Sequence, residues 1–229
     1  MRIVFMGTPQ FAVYALQALN ESEHEVVGVV TSLDKPAGRG KQLRQSAVKE
    51  YAAAEKLTLL QPENLKDPIF TKELDVLNAD VFIVVAFRML PKTVWSIPPK
   101  GTFNLHASLL PNYRGAAPIN WAIINNETIT GATTFYIDDK IDTGAILLKE
   151  ELAIEPNETV GSLHDKLAPL GANLILKTLD YIATNPILKP QLLTGDEKEA
   201  PKLMKENTKI DWKHSLKYID AVSYTHLTL

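Results

Sequence analysis

The stretch Arg2-Ile3-Val4-Phe5-Met6-Gly7-Thr8-Pro9 is followed by Phe11-Ala12-Val13-Tyr14-Ala15-Leu16-Gln17-Ala18-Leu19 and then by Val26-Val27-Gly28-Val29-Val30-Thr31. The first run is short, apolar and partly β-branched, the pattern of a buried strand, and it stops at Gly7. Thr8 suits a helix N-cap and Pro9 the first helical position, because proline lacks the amide hydrogen that would be orphaned there. With the third run as a second strand the unit is βαβ, which demands a parallel pair and a right-handed crossover. The predicted fold class is α/β, with a mostly parallel central sheet flanked by helices.

Outward from this unit, strands are predicted near residues 57–60, 81–87 and 102–106. The unbroken apolar character of 81–87 suggests a strand buried on both faces, in the middle of the sheet. Residues 120–124 read as helical, and 131–137 and 145–148 as later strands. Leu163, Leu167, Leu170 and Leu174 lie three and four apart, on one helix face, with Pro169 expected to bend or interrupt that helix. Beyond about residue 185 periodicity weakens and proline, lysine and acidic residues accumulate. The expected organisation is one domain over 1–185, a linker over 186–207, and the start of a truncated second domain over 208–229.

A chain of 229 residues, 45% hydrophobic and 22% charged, can bury one substantial core. It has no apolar run approaching the roughly 20 residues needed to span a bilayer, and Met1 leads straight into a strand pattern, so a cytoplasmic protein without membrane partners is expected. The absence of cysteine excludes disulfides, thiolate metal ligands and a cysteine nucleophile. A formal net charge of −3 leaves room for a local cationic patch that binds phosphate.

Gly7 follows the first strand, but the segment carries only one glycine of the three in a dinucleotide-binding fingerprint, which favours a plain strand-to-helix turn. Within Phe103-Asn104-Leu105-His106, extended geometry puts Asn104 and His106 on one face and Phe103 and Leu105 on the other. That pairs an amide donor with a titratable ring. Ser108-Leu109-Leu110-Pro111 and Gly115-Ala116-Ala117-Pro118 can wall a pocket, with Arg114 available for an anionic group. Spacing alone leaves open that His106 is a core histidine satisfied by backbone.

Asp138, Asp139 and Asp142 share a loop between predicted strands, where catalytic groups gather in α/β folds. Their spacing does not match a calcium loop, and for Asp138 and Asp139 a solvated turn is the simpler reading. A glycine-punctuated loop, 34–44, carries Lys35, Arg39, Lys41 and Arg44, and can reach over a phosphate backbone.

In this order, Phe5-Met6-Gly7-Thr8-Pro9, the basic loop, Asn104-Leu105-His106, Ser108-Leu109-Leu110-Pro111, Arg114-Gly115-Ala116-Ala117-Pro118 and Asp142-Thr143-Gly144 resemble the folate-dependent formyltransferase family, specifically its tRNA-directed branch. The resemblance covers roughly residues 2–212 and implies a Rossmann-like formyltransferase domain. It implies transfer of a formyl group from 10-formyltetrahydrofolate to the amino group of methionyl-tRNA, the aminoacylated initiator tRNA, in support of translation initiation. By the same resemblance Asn104, His106 and Asp142 are catalytic, and Ser108, Leu109, Leu110 and Pro111 line the folate site with backbone from Val85, Ala86 and Phe87. Lys35, Arg39, Lys41 and Arg44 would meet the tRNA; no metal is required, and a monomer is expected. The alternatives are a formyltransferase acting on a sugar-nucleotide amine, which would have no use for a basic arm, and a non-catalytic folate-binding module.

Two features depart from the family's pattern. Relatives continue past Ile210-Asp211-Trp212 into a β-barrel-like domain, whereas residues 223–229 match nothing expected there. Arg88 stands where many relatives have a small residue near the folate pocket.

Overall fold

Alternation along the apolar strands determines how the layers assemble. The computed structural model describes residues 1–37, 42–188, 190–213, 215–216, 218–219 and 222–223. The first half runs β1 (Arg2–Gly7), α1 (Gln10–Asn20), β2 (Glu25–Val30), β3 (Lys35–Ala37), β4 (Gln42–Arg44), α2 (Ala47–Ala54), β5 (Leu59–Leu60), α3 (Pro68–Val76) and β6 (Val81–Val85). The second half runs α4 (Lys92–Trp95), β7 (Thr102–His106), β8 (Arg114–Gly115), α5 (Pro118–Ile124), β9 (Ile129–Tyr136), β10 (Ile146–Ala153), α6 (Val160–Ala183) and β11 (Glu199–Ala200).

Seven strands form one sheet in the order β10-β9-β7-β6-β1-β2-β5. The five strands from β7 to β5 are parallel, while β9 and β10 add antiparallel to the β7 side. Ile3, Phe5, Ile83, Val85, Phe103 and Leu105 share one core with α1 and α6. Val4, Met6, Phe82 and Val84 point the other way, into a second core with Phe70, Leu74 and Val94. Strands buried on both faces are the expected state of a parallel sheet covered by helices. The chain order reverses direction across the sheet between β1 and β6, leaving a crevice at their carboxyl ends.

Several boundaries differ from the sequence expectation, each for a local reason. Helix α1 starts one residue late, with Pro9 at the cap, and the Thr8 carbonyl accepts the Val48 amide from α2. Strand pairing at 57–60 is confined to Leu59 and Leu60 against Val29 and Val30. Strand β6 ends at Val85 because Ala86 has φ +47, a left-handed turn that takes the chain off the sheet.

Pro169 does not interrupt α6, which runs unbroken from Val160 to Ala183. The proline lies on the exposed side, so the carbonyl it leaves without a donor can meet water, while Leu163, Leu167, Ala168, Ala172 and Ile175 hold the opposite face in the core. A capping box of Thr159 and Ser162 secures its start. Among the described residues of the expected linker, 199–200 pair as β11 with β8 and so lie against the domain.

Leu167 is fully buried between α6 and the sheet. Leu167→Ala is expected to lower unfolding free energy by about 2–5 kcal/mol, read from urea denaturation; a loss of a few tenths would show that α6 is not integral to the core.

Candidate active site

The crevice at the carboxyl ends of the central strands opens into a cavity of about 970 Å³. Its walls include Pro9 and Phe11 after β1, Ala86, Phe87 and Arg88 after β6, Asn104 and His106 on β7, residues 115–120, and the loop 137–142. Open α/β sheets bind ligands at such a switch point.

Asn104, His106 and Asp142, far apart in sequence, all line this cavity. Period-two alternation on β7 sends Phe103 and Leu105 into the α6 core and turns Asn104 and His106 toward the cavity layer. Among the described residues the Asn104 side-chain amide has no hydrogen-bond partner within the protein, so its donors are free for a ligand. His106 is 6% exposed and its Nε2 lies 2.7 Å from the Tyr113 carbonyl oxygen. A carbonyl only accepts, so Nε2 carries a hydrogen and Nδ1 is the ring atom left for chemistry. Nδ1 stands 3.9 Å from Asp142 Oδ2.

That carboxylate is held in turn. Oδ2 accepts the Gly115 amide at 2.9 Å, and Asp142 itself sits at φ +54, a conformation that aspartate tolerates better than most residues. Gly115 has φ +122, and a Cβ there would meet the Ala200 carbonyl oxygen at 2.5 Å. A Cβ on Gly144 would lie 1.7 Å from the Tyr136 carbonyl oxygen. Both positions are restricted to glycine by close backbone approach. Asp138 accepts from the Thr143 hydroxyl and the Lys140 amide, which makes it a turn residue, as its spacing suggested.

The remaining expected site residues divide. Ala86 and Phe87 line the cavity, whereas Val85 faces the core. Ser108, Leu109, Leu110 and Pro111 do not line it. Ser108 and Leu110 are buried, the Ser108 hydroxyl donates to the Asn112 carbonyl, and Thr133 on β9 bonds both the Ser108 carbonyl and the Leu110 amide. This segment is instead tied to β9, where the chain turns after His106. Arg114, expected to face an anion, also lies outside the cavity and directs Nη2 to the Gln191 side-chain oxygen. Arg88 borders the cavity; its guanidinium donates to the carbonyls of Pro62 and Glu63 and packs over the Phe87 ring at 5.5 Å.

Of the basic loop, Lys35 and Arg44 face each other in register across the β3–β4 hairpin, both exposed. Arg39 and Lys41 lie outside the described residues. The hairpin's base is anchored by Lys49 to Asp34 at 2.7 Å and by Gln61 to Ser32 and Asp34. The bonds from Lys49 and Gln61 hold the Asp34 carboxyl below the usual carboxylate range. Among the described residues, the one grouping of potential metal ligands is Glu23, His24 and Asp180, at the surface and away from the cavity.

Residues 1–179 match the Formyl transferase family. A methionyl-tRNA formyltransferase of Flavobacterium johnsoniae is 62% identical over 216 residues, which are 94% of this chain and 69% of that protein. The chain belongs to the methionyl-tRNA formyltransferase family. The corresponding protein of Bacteroides thetaiotaomicron is 51% identical over 224 residues, 96% of this chain and 69% of its own length. Solved structures share the fold at lower identity. A sugar 3N-formyl transferase, WlaRD, superimposes with a TM-score of 0.71 at 22% identity, covering 98% of this chain and 78% of that one. HypX from Aquifex aeolicus, solved with tetrahydrofolic acid, gives a TM-score of 0.70 at 19% identity, covering 98% of this chain and 34% of that one.

Two parts of this formyltransferase site were not visible in the sequence. His164 on α6 lines the cavity edge-on to Phe11 at 5.3 Å, and the leucine spacing that marks the helix gives no sign of it. Tyr113, which holds His106 through its carbonyl, is itself held at the hydroxyl by Glu127 and Asn125, and Lys198 pairs with Glu127. Burial first, and then the bond to Glu127, push the Tyr113 hydroxyl up to about 12. An unfolded tyrosine ionises near 10, so the neutral phenol's contribution to stability is complete below pH 10 and lost as pH rises through 12. Tyr113→Phe is therefore expected to flatten the fall of unfolding free energy between pH 10 and 12; an unchanged alkaline limb would place that loss elsewhere.

Proposed function

We propose that Asn104, His106 and Asp142 carry the transfer of a formyl group from 10-formyltetrahydrofolate to the amino group of methionyl-tRNA. The observation that supports this most directly is their convergence, from two separated segments, on one cavity at the switch point of the sheet. About 970 Å³ is at the upper end of ordinary ligand pockets, enough for a folate head and the aminoacyl end of a tRNA together.

The reaction needs a neutral amine, a place for negative charge on the carbonyl oxygen, and proton movement from the attacking to the departing nitrogen. Asn104 donates its free amide to the developing oxyanion. His106 acts through Nδ1, since Nε2 is engaged by Tyr113; protonated there, it donates to the same oxygen and then supplies a proton to the folate nitrogen as it leaves. Asp142 Oδ2, across 3.9 Å from Nδ1, receives the amine's proton directly or through water. Ala86, Phe87 and Arg88 form the wall for the folate. Formyl transfer changes no oxidation state and asks for neither nicotinamide nor metal.

The basic loop 34–44 is assigned to the tRNA backbone, through Arg39 above all and also through Lys35, Lys41 and Arg44. A monomer acting in the cytoplasm, where charged initiator tRNA is used, fits this substrate. The relatives at 51–62% identity are tRNA-directed enzymes by name, and the sugar-directed one shares 22%, so the sugar-nucleotide reading is set aside.

Asn104→Ala and His106→Ala are each expected to lower turnover about a hundredfold, near 3 kcal/mol, with folate affinity kept within a few fold. The assay is labelled formyl transfer to charged initiator methionyl-tRNA, against free methionine and a sugar-nucleotide amine. Near-full turnover in either variant, with the fold intact, would remove that residue from the mechanism. Arg39→Ala is expected to weaken tRNA binding and make the slope of log affinity against log salt shallower by about 0.7–0.9 per lost phosphate contact. An unchanged slope would detach the loop from the tRNA.

A further inference from the structure

The segment that follows α6 supplies a side chain to the site. Gln191 lies 49 residues from Asp142 and 77 from Arg114, yet it bonds to both segments. Its Nε2 donates to the Asp142 carbonyl and to the Gly144 carbonyl, each at 2.9 Å, and its Oε1 accepts from Arg114 Nη2. Both hydrogens and the oxygen of one half-buried amide are thus engaged across two loops of the site. Arg114 is the neighbour of Gly115, whose amide holds the Asp142 carboxylate.

Asp142 needs such restraint. Its left-handed backbone is disfavoured for a residue with a Cβ and persists only where the surroundings over-determine it. Gly115 fixes the carboxylate from one side and Gln191 fixes the backbone from the other, so that Oδ2 faces His106 Nδ1. We propose that Gln191 is a positioning residue for formyl transfer, setting Asp142 against His106 without touching substrate. The inference rests on Asp142 being the proton acceptor proposed above.

Gln191→Glu keeps the size and the oxygen that faces Arg114 but replaces the donor with a carboxylate oxygen aimed at two carbonyls. The test is a double-mutant cycle in the full chain with Asp142→Asn, measuring kcat and KM for formyl transfer to methionyl-tRNA, and the melting temperature of each variant. Gln191→Glu is expected to lower kcat about tenfold, with the folate KM within about twofold, and to add less than about twofold loss in the Asp142→Asn background. Gln191→Met, which removes the donor without adding charge, is expected to behave in the same way and serves where the glutamate variant does not fold.

An equal loss in both backgrounds, or a loss confined to KM, would overturn the inference and leave Gln191 a structural residue. Wild-type kcat in Gln191→Glu beside a crippled Asp142→Asn would overturn this inference alone. Near-full turnover in Asp142→Asn itself would overturn the role of Asp142, and the positioning role with it.

Discussion

Strand β7 has to serve two layers at once, and the arrangement of the site follows from that constraint. Its alternate side chains are Phe103 and Leu105, which belong to the core shared with α1 and α6, and Asn104 and His106, which turn to the cavity. A slip of one residue would send the amide and the imidazole into the core and expose the phenylalanine. Parallel pairing with β6 on one side and antiparallel pairing with β9 on the other hold the register. Hydrophobic burial therefore positions the cavity-facing pair, with no separate device needed for Asn104.

Beyond β7 the site depends on backbone where side chains would not fit. Gly115 and Gly144 admit carbonyl oxygens of Ala200 and Tyr136 at distances that no Cβ would allow. Gly115 lets β8 pair with β11 and holds the Asp142 carboxylate, while Gly144 lets the loop bearing Asp142 close onto β9. His106 is oriented by a carbonyl, that of Tyr113, and a neutral acceptor of this kind fixes which nitrogen carries the hydrogen without adding charge beside it.

The parts legible in the sequence were those governed by local periodicity. The βαβ opening, the doubly buried β6 and the face shared by Asn104 and His106 all follow from spacings of two to four residues. The ties of segment 108–111 are not legible, because an apolar run with a proline does not announce the bonds its backbone makes to Thr133, 25 residues on from Ser108. The ties of Gln191, Lys198 and Ala200 are longer still, and the stretch containing them has the composition of a connector. Polar residues that bond backbone across such distances leave no periodic trace. The basic loop's charge was plain, but a charge pattern does not specify a geometry.

The two margins of the main sheet are finished differently. At one, β5 contributes only Leu59 and Leu60, too short a rim to recruit another strand. At the other, β10 is eight residues long, but Lys149, Glu150 and Glu151 interrupt its apolar pattern; Lys149 reaches in to the Leu110 carbonyl and Glu150 pairs with Lys177 of α6. A foreign strand approaching that rim would have to desolvate or displace these charges. The sheet is thereby protected against growing into a neighbour's, a safeguard against aggregation to which the same lysine that holds the Leu110 carbonyl contributes.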